Sequence, residues 1–244
     1  MKRWSRKVCT AGLLGSLLLS ASSCADNENM LVIIGAMSAT PPDCVYTASA
    51  SAPLILNGVV DVAFGGHYHA VLLVANQLMA GGSKARLRAE TSNVSINNAE
   101  VRLLANGVTP IMYNSVPASG FIGVGAGEDT GYGNIAVDIM PGVVVPAQTG
   151  YIIAEVRLQG TTSGGDDIES NLFRYDIYVV DSRLGGGLVR YNSTDTNGGG
   201  LCDATLCSSS NTTTTTVSQS CYEGQDSSLS CCDCLSEDFC KASY

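Results

Sequence analysis

Residues 68–76 read Tyr68-His69-Ala70-Val71-Leu72-Leu73-Val74-Ala75-Asn76, directly after the glycine pair Gly65-Gly66 and His67. Valine, leucine and tyrosine fit a pleated sheet, and the flanking glycines provide a turn. We therefore read His67 to Leu78 as the strongest strand of the chain, and the rest is read outward from it. Upstream, Leu54 to Leu56 and Val59 to Phe64 flank Asn57-Gly58, a dipeptide typical of a hairpin turn. Further back, Met30 to Gly35 is a compact apolar run that Pro41-Pro42-Asp43 interrupts before Cys44 and Val45-Tyr46-Thr47.

Downstream, Ala80-Gly81-Gly82-Ser83 is a loop, and Ala85 to Ala89 alternates apolar and basic residues with Arg86 and Arg88 on one side. Alternation resumes from Asn93 to Leu104, with Asn97-Asn98 as a bulge or turn between Ile96 and Val101. Ile111 to Val116 is a short strand, and Gly120 to Gly133 reads as a long glycine-rich loop. Ile135, Val137 and Ile139 alternate strictly before Pro141-Gly142. Tyr151 to Leu158 is a long strand, Thr161 to Glu169 a polar loop, and Leu172 to Val180 places Phe173, Tyr175, Ile177 and Val179 on one face. Leu188 to Tyr191 is the last candidate strand. No segment sustains a 3.6-residue period, so little helix is expected. About nine short strands separated by turn signals predict an all-β domain, two packed antiparallel sheets over residues 30–191.

The Tyr68–Asn76 stretch, with its Val-x-Asn ending, and the later Val145-Pro146 turn resemble immunoglobulin-like domains of the late-embryogenesis-abundant type. That resemblance implies an immunoglobulin-like β-sandwich and carries no activity with it. The arrangement as a whole resembles uncharacterised lipoproteins of myxobacteria-like deltaproteobacteria, which again implies no particular activity.

The start of the chain bears on location. Lys2, Arg3, Arg6 and Lys7 precede a short apolar run, Ala11 to Ala21, which has the layout of an export signal. The run is shorter than the roughly 20 apolar residues that cross a bilayer, and no later stretch is long and apolar enough to do so as a helix. Ala21-Ser22-Ser23-Cys24 resembles the lipobox of bacterial lipoproteins, which implies lipidation of Cys24 after loss of residues 1–23. Ala21 stands where that motif favours leucine, and Ser23-Cys24-Ala25 also suits ordinary secretory cleavage. Each acyl chain buries methylenes at about 0.8 kcal/mol apiece, and two chains anchor stably. Ala25 rather than Asp after the cysteine implies the outer membrane by the enteric sorting rule, and residues 24–29 form a tether.

The leader holds four of the 13 basic residues and none of the 22 acidic ones. The remaining 221 residues thus carry 9 basic against 22 acidic groups, a formal charge of −13. Such a surface repels phosphate backbones, so nucleic acid is excluded as a partner.

From residue 192 to 244 glycine, serine and threonine dominate, including Thr212 to Thr216, and seven cysteines appear: Cys202, Cys207, Cys221, Cys231, Cys232, Cys234 and Cys240. With Cys44 they make eight, and export favours disulfides over thiolate metal sites. The sequence does not choose the pairing. An odd number in a mostly irregular tail so poor in core makes Cys44 the expected partner of one of them.

Few residues point to chemistry. His67 and His69 are the only histidines and share a face of the strand, a geometry suited to gripping one metal with Asp61 or Asp43 as third ligand. Gly123-x-Gly125-x-Gly127 lacks the following helix or lysine of a phosphate loop, and Glu128-Asp129 would repel phosphate. Gly165-Asp166-Asp167-Ile168-Glu169 and Ser193-x-Asp195-x-Asn197-Gly198 do not complete a calcium loop. No Gly-x-Ser-x-Gly or His-Glu-x-x-His pattern is present. The expectation is a non-enzymatic cell-envelope lipoprotein without a cofactor, held to the membrane by lipid, with a structural, adhesive or assembly role toward an envelope or matrix partner. A metal-binding envelope domain and a secreted soluble β-domain are the alternatives.

Overall fold

A computed structural model describes residues 30–39, 44–80, 90–125, 129–142, 150–181, 189–190, 225–226 and 229–230. Among these the fold is all-β. The strands are β1 (Leu31–Met37), β2 (Leu54–Ile55), β3 (Asn57–Asp61), β4 (Tyr68–Asn76), β5 (Val94–Ala105), β6 (Thr109–Ile122), β7 (Gly131–Met140), β8 (Gly150–Thr162), β9 (Asp167–Glu169) and β10 (Phe173–Val180). A short parallel ladder joins β11 (Val189–Arg190) to β12 (Leu229–Ser230).

The ten main strands form one sheet in the order β2-β1-β4-β7-β6-β5-β8-β10-β3, with β9 beside β8. Its two ends, β2 and β3, are separated in the chain by Leu56 alone. The segment therefore leaves the edge of β1 and passes directly onto β10, bending the sheet into a near-barrel. Asn171 adds a second tie: its side-chain oxygen accepts the Ile33 amide at 2.7 Å and its own amide donates to the Leu31 carbonyl. A single core fills the interior, drawing Leu72 and Val74 from β4, Val101 and Leu103 from β5, Ala154 and Val156 from β8, and Tyr175 and Ile177 from β10.

The expected antiparallel pairing holds for most neighbours, but β10 and β3 run parallel. Asn57-Gly58 is also not a turn. Both residues lie in β3, and a Cβ on Gly58 would sit 2.5 Å from the Tyr68 ring. The glycine is there to let an aromatic ring lie on the strand backbone, the other reason for glycine inside a strand. The glycine-rich segment 120–133 is strand at both its ends, in β6 and β7. Gly120 and Gly133 lie where β6 and β7 approach, and a Cβ on either would collide with Ile135 or Ile122. Only residues 123–130 connect the two strands. Asn97-Asn98 does coincide with a register shift between Ile96 and Asn98. Gly65-Gly66 does turn the chain, with both residues in the left-handed region.

β4 is buried along nearly its whole length. Tyr68, Ala70, Leu72 and Val74 face the main core, while Val71 and Leu73 pack on the other side with Met37, Tyr46, Ala48 and Ala52. The segment between β1 and β2 covers this outer face. That double burial accounts for a continuous apolar run where a one-sided strand would alternate.

On the opposite side, Arg102 of β5, Glu155 of β8 and Arg174 of β10 stand directly across from one another. Arg102 Nε donates to Glu155 Oε2 at 2.6 Å, and Arg174 lies 2.7 Å from the other oxygen. Burial would raise the Glu155 pKa, but the two arginines outweigh it and hold the carboxyl below its ordinary value. A depressed native pKa contributes stability above the unfolded pKa that is lost as pH falls. Glu155→Gln should therefore cost about 1–2 kcal/mol at pH 7, with the gap to wild type closing below about pH 4 in urea titrations. Gly58→Ala should lower the urea midpoint by the equivalent of about 1–3 kcal/mol, because the Tyr68 ring must move.

Candidate functional site

The start of β4 places polar groups on both of its sides. Inward, Tyr68 is buried, and its hydroxyl lies 2.8 Å from that of Tyr175 on β10. The same hydroxyl donates to Asp226, with oxygens at 2.8 and 3.0 Å. The Asp226 carboxylate also accepts the Val59 amide at 2.8 Å and the Gln225 side-chain amide at 3.2 Å. Tyr68 has one proton. When Asp226 is ionised that proton goes to the carboxylate, so Tyr175 must donate to Tyr68.

Gln225 and Asp226 act as a short piece of strand. Val60 and Gln225 form an antiparallel bridge, and the Asp226 amide donates to the Val59 carbonyl. On the other side the Gln225 side chain accepts the His69 amide at 2.9 Å and donates to the His69 carbonyl at 2.7 Å. β1 pairs with β4 only from Leu72 to Asn76, so the first residues of β4 lack that neighbour. The two residues close the gap between β3 and β4. Asp226 takes a positive φ of 59°, a conformation Asp tolerates better than most residues.

Burial raises the pKa of all three ionisable groups. Desolvation lifts Asp226 above the usual carboxylate range, against the opposing hydrogen bonds from Val59, Tyr68 and Gln225. Burial first, then the Asp226 charge, drives Tyr68 far up. Tyr175 also rises, through burial first and then the Asp226 charge. Both tyrosines stay neutral at any physiological pH and serve as hydrogen-bonding groups.

Outward, the rings of His67 and His69 stack with centroids 6.1 Å apart and planes within 4°. His69 stands directly opposite Asp138 of β7, its Nδ1 3.8 Å from Asp138 Oδ1. One donor atom from each of His67, His69 and Asp138 lies within 4.8 Å of the other two. The Gly142 amide donates to His67 Nδ1 at 3.2 Å.

His67 and His69 thus lie side by side, and the acidic residue next to them among the described residues is Asp138. Asp61 is buried at the end of β3, where its side chain accepts the Ala63 amide and caps a single 3-10 turn, Val62–Phe64. Asp43 lies outside the described residues. Asp138 sits among the alternating Ile135, Val137 and Ile139, and only the β4–β7 register reveals that it faces His69. Of the acidic loop 165–169, Glu169 meets Arg157 at 3.3 Å. Cys44 is the one cysteine among the described residues and is disulfide-bonded. Cys24, Cys202, Cys207, Cys221, Cys231, Cys232, Cys234 and Cys240, together with Arg86, Arg88 and the 193–198 loop, lie outside them. Compared with known protein families, curated proteins and solved structures, the chain matches none of them.

The buried chain of hydrogen bonds predicts strong coupling between β4 and residue 226. Tyr68→Phe and Asp226→Ala should each cost about 1–3 kcal/mol, because each leaves buried polar partners unsatisfied. In a double-mutant cycle read by urea unfolding, the pair should cost clearly less than the sum of the two.

Proposed function

We propose that this chain is a non-enzymatic cell-envelope lipoprotein whose β-domain has a structural, adhesive or assembly role. The observation that carries this reading is the use made of the buried ionisable groups. Tyr68, Tyr175 and Asp226 are bonded to one another, and Glu155 to two arginines, so each holds strands together. Groups engaged in this way position architecture and not a substrate.

In this reading Cys24 carries the acyl chains, residues 25–29 space the domain from the outer membrane, and the acidic surface keeps it soluble beside that membrane. The likeness to an immunoglobulin-like sandwich belongs to the same proposal, with the β1-β4-β7 and β5-β8-β10 halves as its layers and β6 shared between them. So does a crosslinked tail, in which Cys44 pairs with one of the seven cysteines of residues 202–240. The docking of Gln225 and Asp226 on β3 and β4 supports that, because it brings part of the 192–244 segment onto the domain.

Mass spectrometry of the N-terminal peptide from membrane-extracted protein tests the anchor. The expected result is a chain that begins at an acylated Cys24. An unmodified N-terminus at Asp26 in the soluble fraction would contradict it and support the secreted alternative.

A further inference from the structure

We propose that His67, His69 and Asp138 form a surface site for one divalent transition-metal ion, zinc or copper in class. Three features of the molecule point there. One imidazole comes from His67, immediately before β4, the other from His69 within it, and the carboxylate from the residue opposite His69 on β7, so the β4–β7 pair and the residue leading into it present all three. A register shift between Tyr68 and His69 puts an extra β7 residue at this point, the device by which strands re-aim side chains beside functional sites. Asp138 Oδ1 is shielded from solvent and has no hydrogen-bond partner among the described residues, yet it points toward His69. A buried carboxylate oxygen without a donor is costly, and a cation at that position would satisfy it.

The donor set fixes the class of ion. Two nitrogens and one oxygen are too few oxygens for calcium or magnesium, whereas imidazole suits zinc and copper. Bonds of about 2.0–2.2 Å place donors about 3.4 Å apart around a tetrahedral zinc. The present donor atoms, within 4.8 Å of one another, reach that by small side-chain rotations. Coordination at His67 Nδ1 displaces the Gly142 amide, one long hydrogen bond on an exposed residue. The remaining coordination positions face solvent, since the His69 and Asp138 side chains keep 45% and 39% of their exposure. Gln225 holds the His69 backbone from behind, so the docked C-terminal residues also fix one of the ligands.

Calorimetric titration of the disulfide-intact, signal-free chain with Zn2+ and nitrogen hyperfine structure in the spectrum of bound Cu2+ provide the test. The expected result is one equivalent of either ion, with two imidazole nitrogens on copper. Asp138→Asn should weaken binding by more than the ~10-fold that loss of even an outer-sphere partner costs, and His67→Gln/His69→Gln should abolish it. All three side chains are at least partly exposed, so an unchanged melting temperature without metal will confirm that the variants fold. Absence of binding, or binding undiminished in the histidine double variant, would overturn the proposal.

Discussion

The hydroxyl of Tyr68 joins three parts of the chain that are far apart in sequence. It touches Tyr175 on β10 and Asp226 near the C-terminus, while its ring rests on Gly58 of β3. These contacts sit where the sheet would otherwise be open, because β1 turns toward β2 before it reaches the start of β4. A neutral hydrogen bond is worth about 1 kcal/mol net, but a buried group left without one costs more. The seam is therefore held as much by the penalty of opening it as by the bonds themselves. Closure also covers part of the edges of β3 and β4, at Val59, Val60 and His69, and open edges invite pairing with other chains.

The same logic applies to the docking of residues 225 and 226 on β3 and β4. Gln225 and Asp226 replace a stretch of strand with one backbone bridge and a side-chain amide that copies the two bonds of a neighbouring peptide. β6 handles its own edge differently. It pairs with β7 only at Ala118 and Ser119, and Pro110 and Pro117 remove amide donors along its length.

The strands with alternating or strongly apolar sequences were legible because one physical quantity, burial, dictates both pattern and position. Ile135, Val137 and Ile139 are buried as their alternation predicts, and so are Tyr175, Ile177 and Val179. The glycines misled at Asn57-Gly58 and at the ends of the 120–133 segment, where Gly58, Gly120 and Gly133 serve close approach, which the sequence cannot tell from a turn. Parallel pairing of β3 with β10 was illegible because it depends on a two-residue strand giving way to another without a loop. The histidine pair could be read from its spacing. Asp138 could not, because cross-strand register with a bulge is set by the whole β4–β7 ladder. Nothing in the composition of residues 192–244 marks Gln225 and Asp226 apart from their polar neighbours.

Residues 225 and 226 bridge β3 and β4 where the sheet would otherwise be open. Native-state hydrogen exchange at the Val59 and His69 amides tests it most directly, because Asp226 accepts the first and Gln225 the second. In the Gln225→Ala/Asp226→Ala variant both amides should lose protection while those at the centre of the β5–β8 ladder keep theirs relative to global unfolding. Equal protection at Val59 and His69 in variant and wild type would show that the seam closes without them.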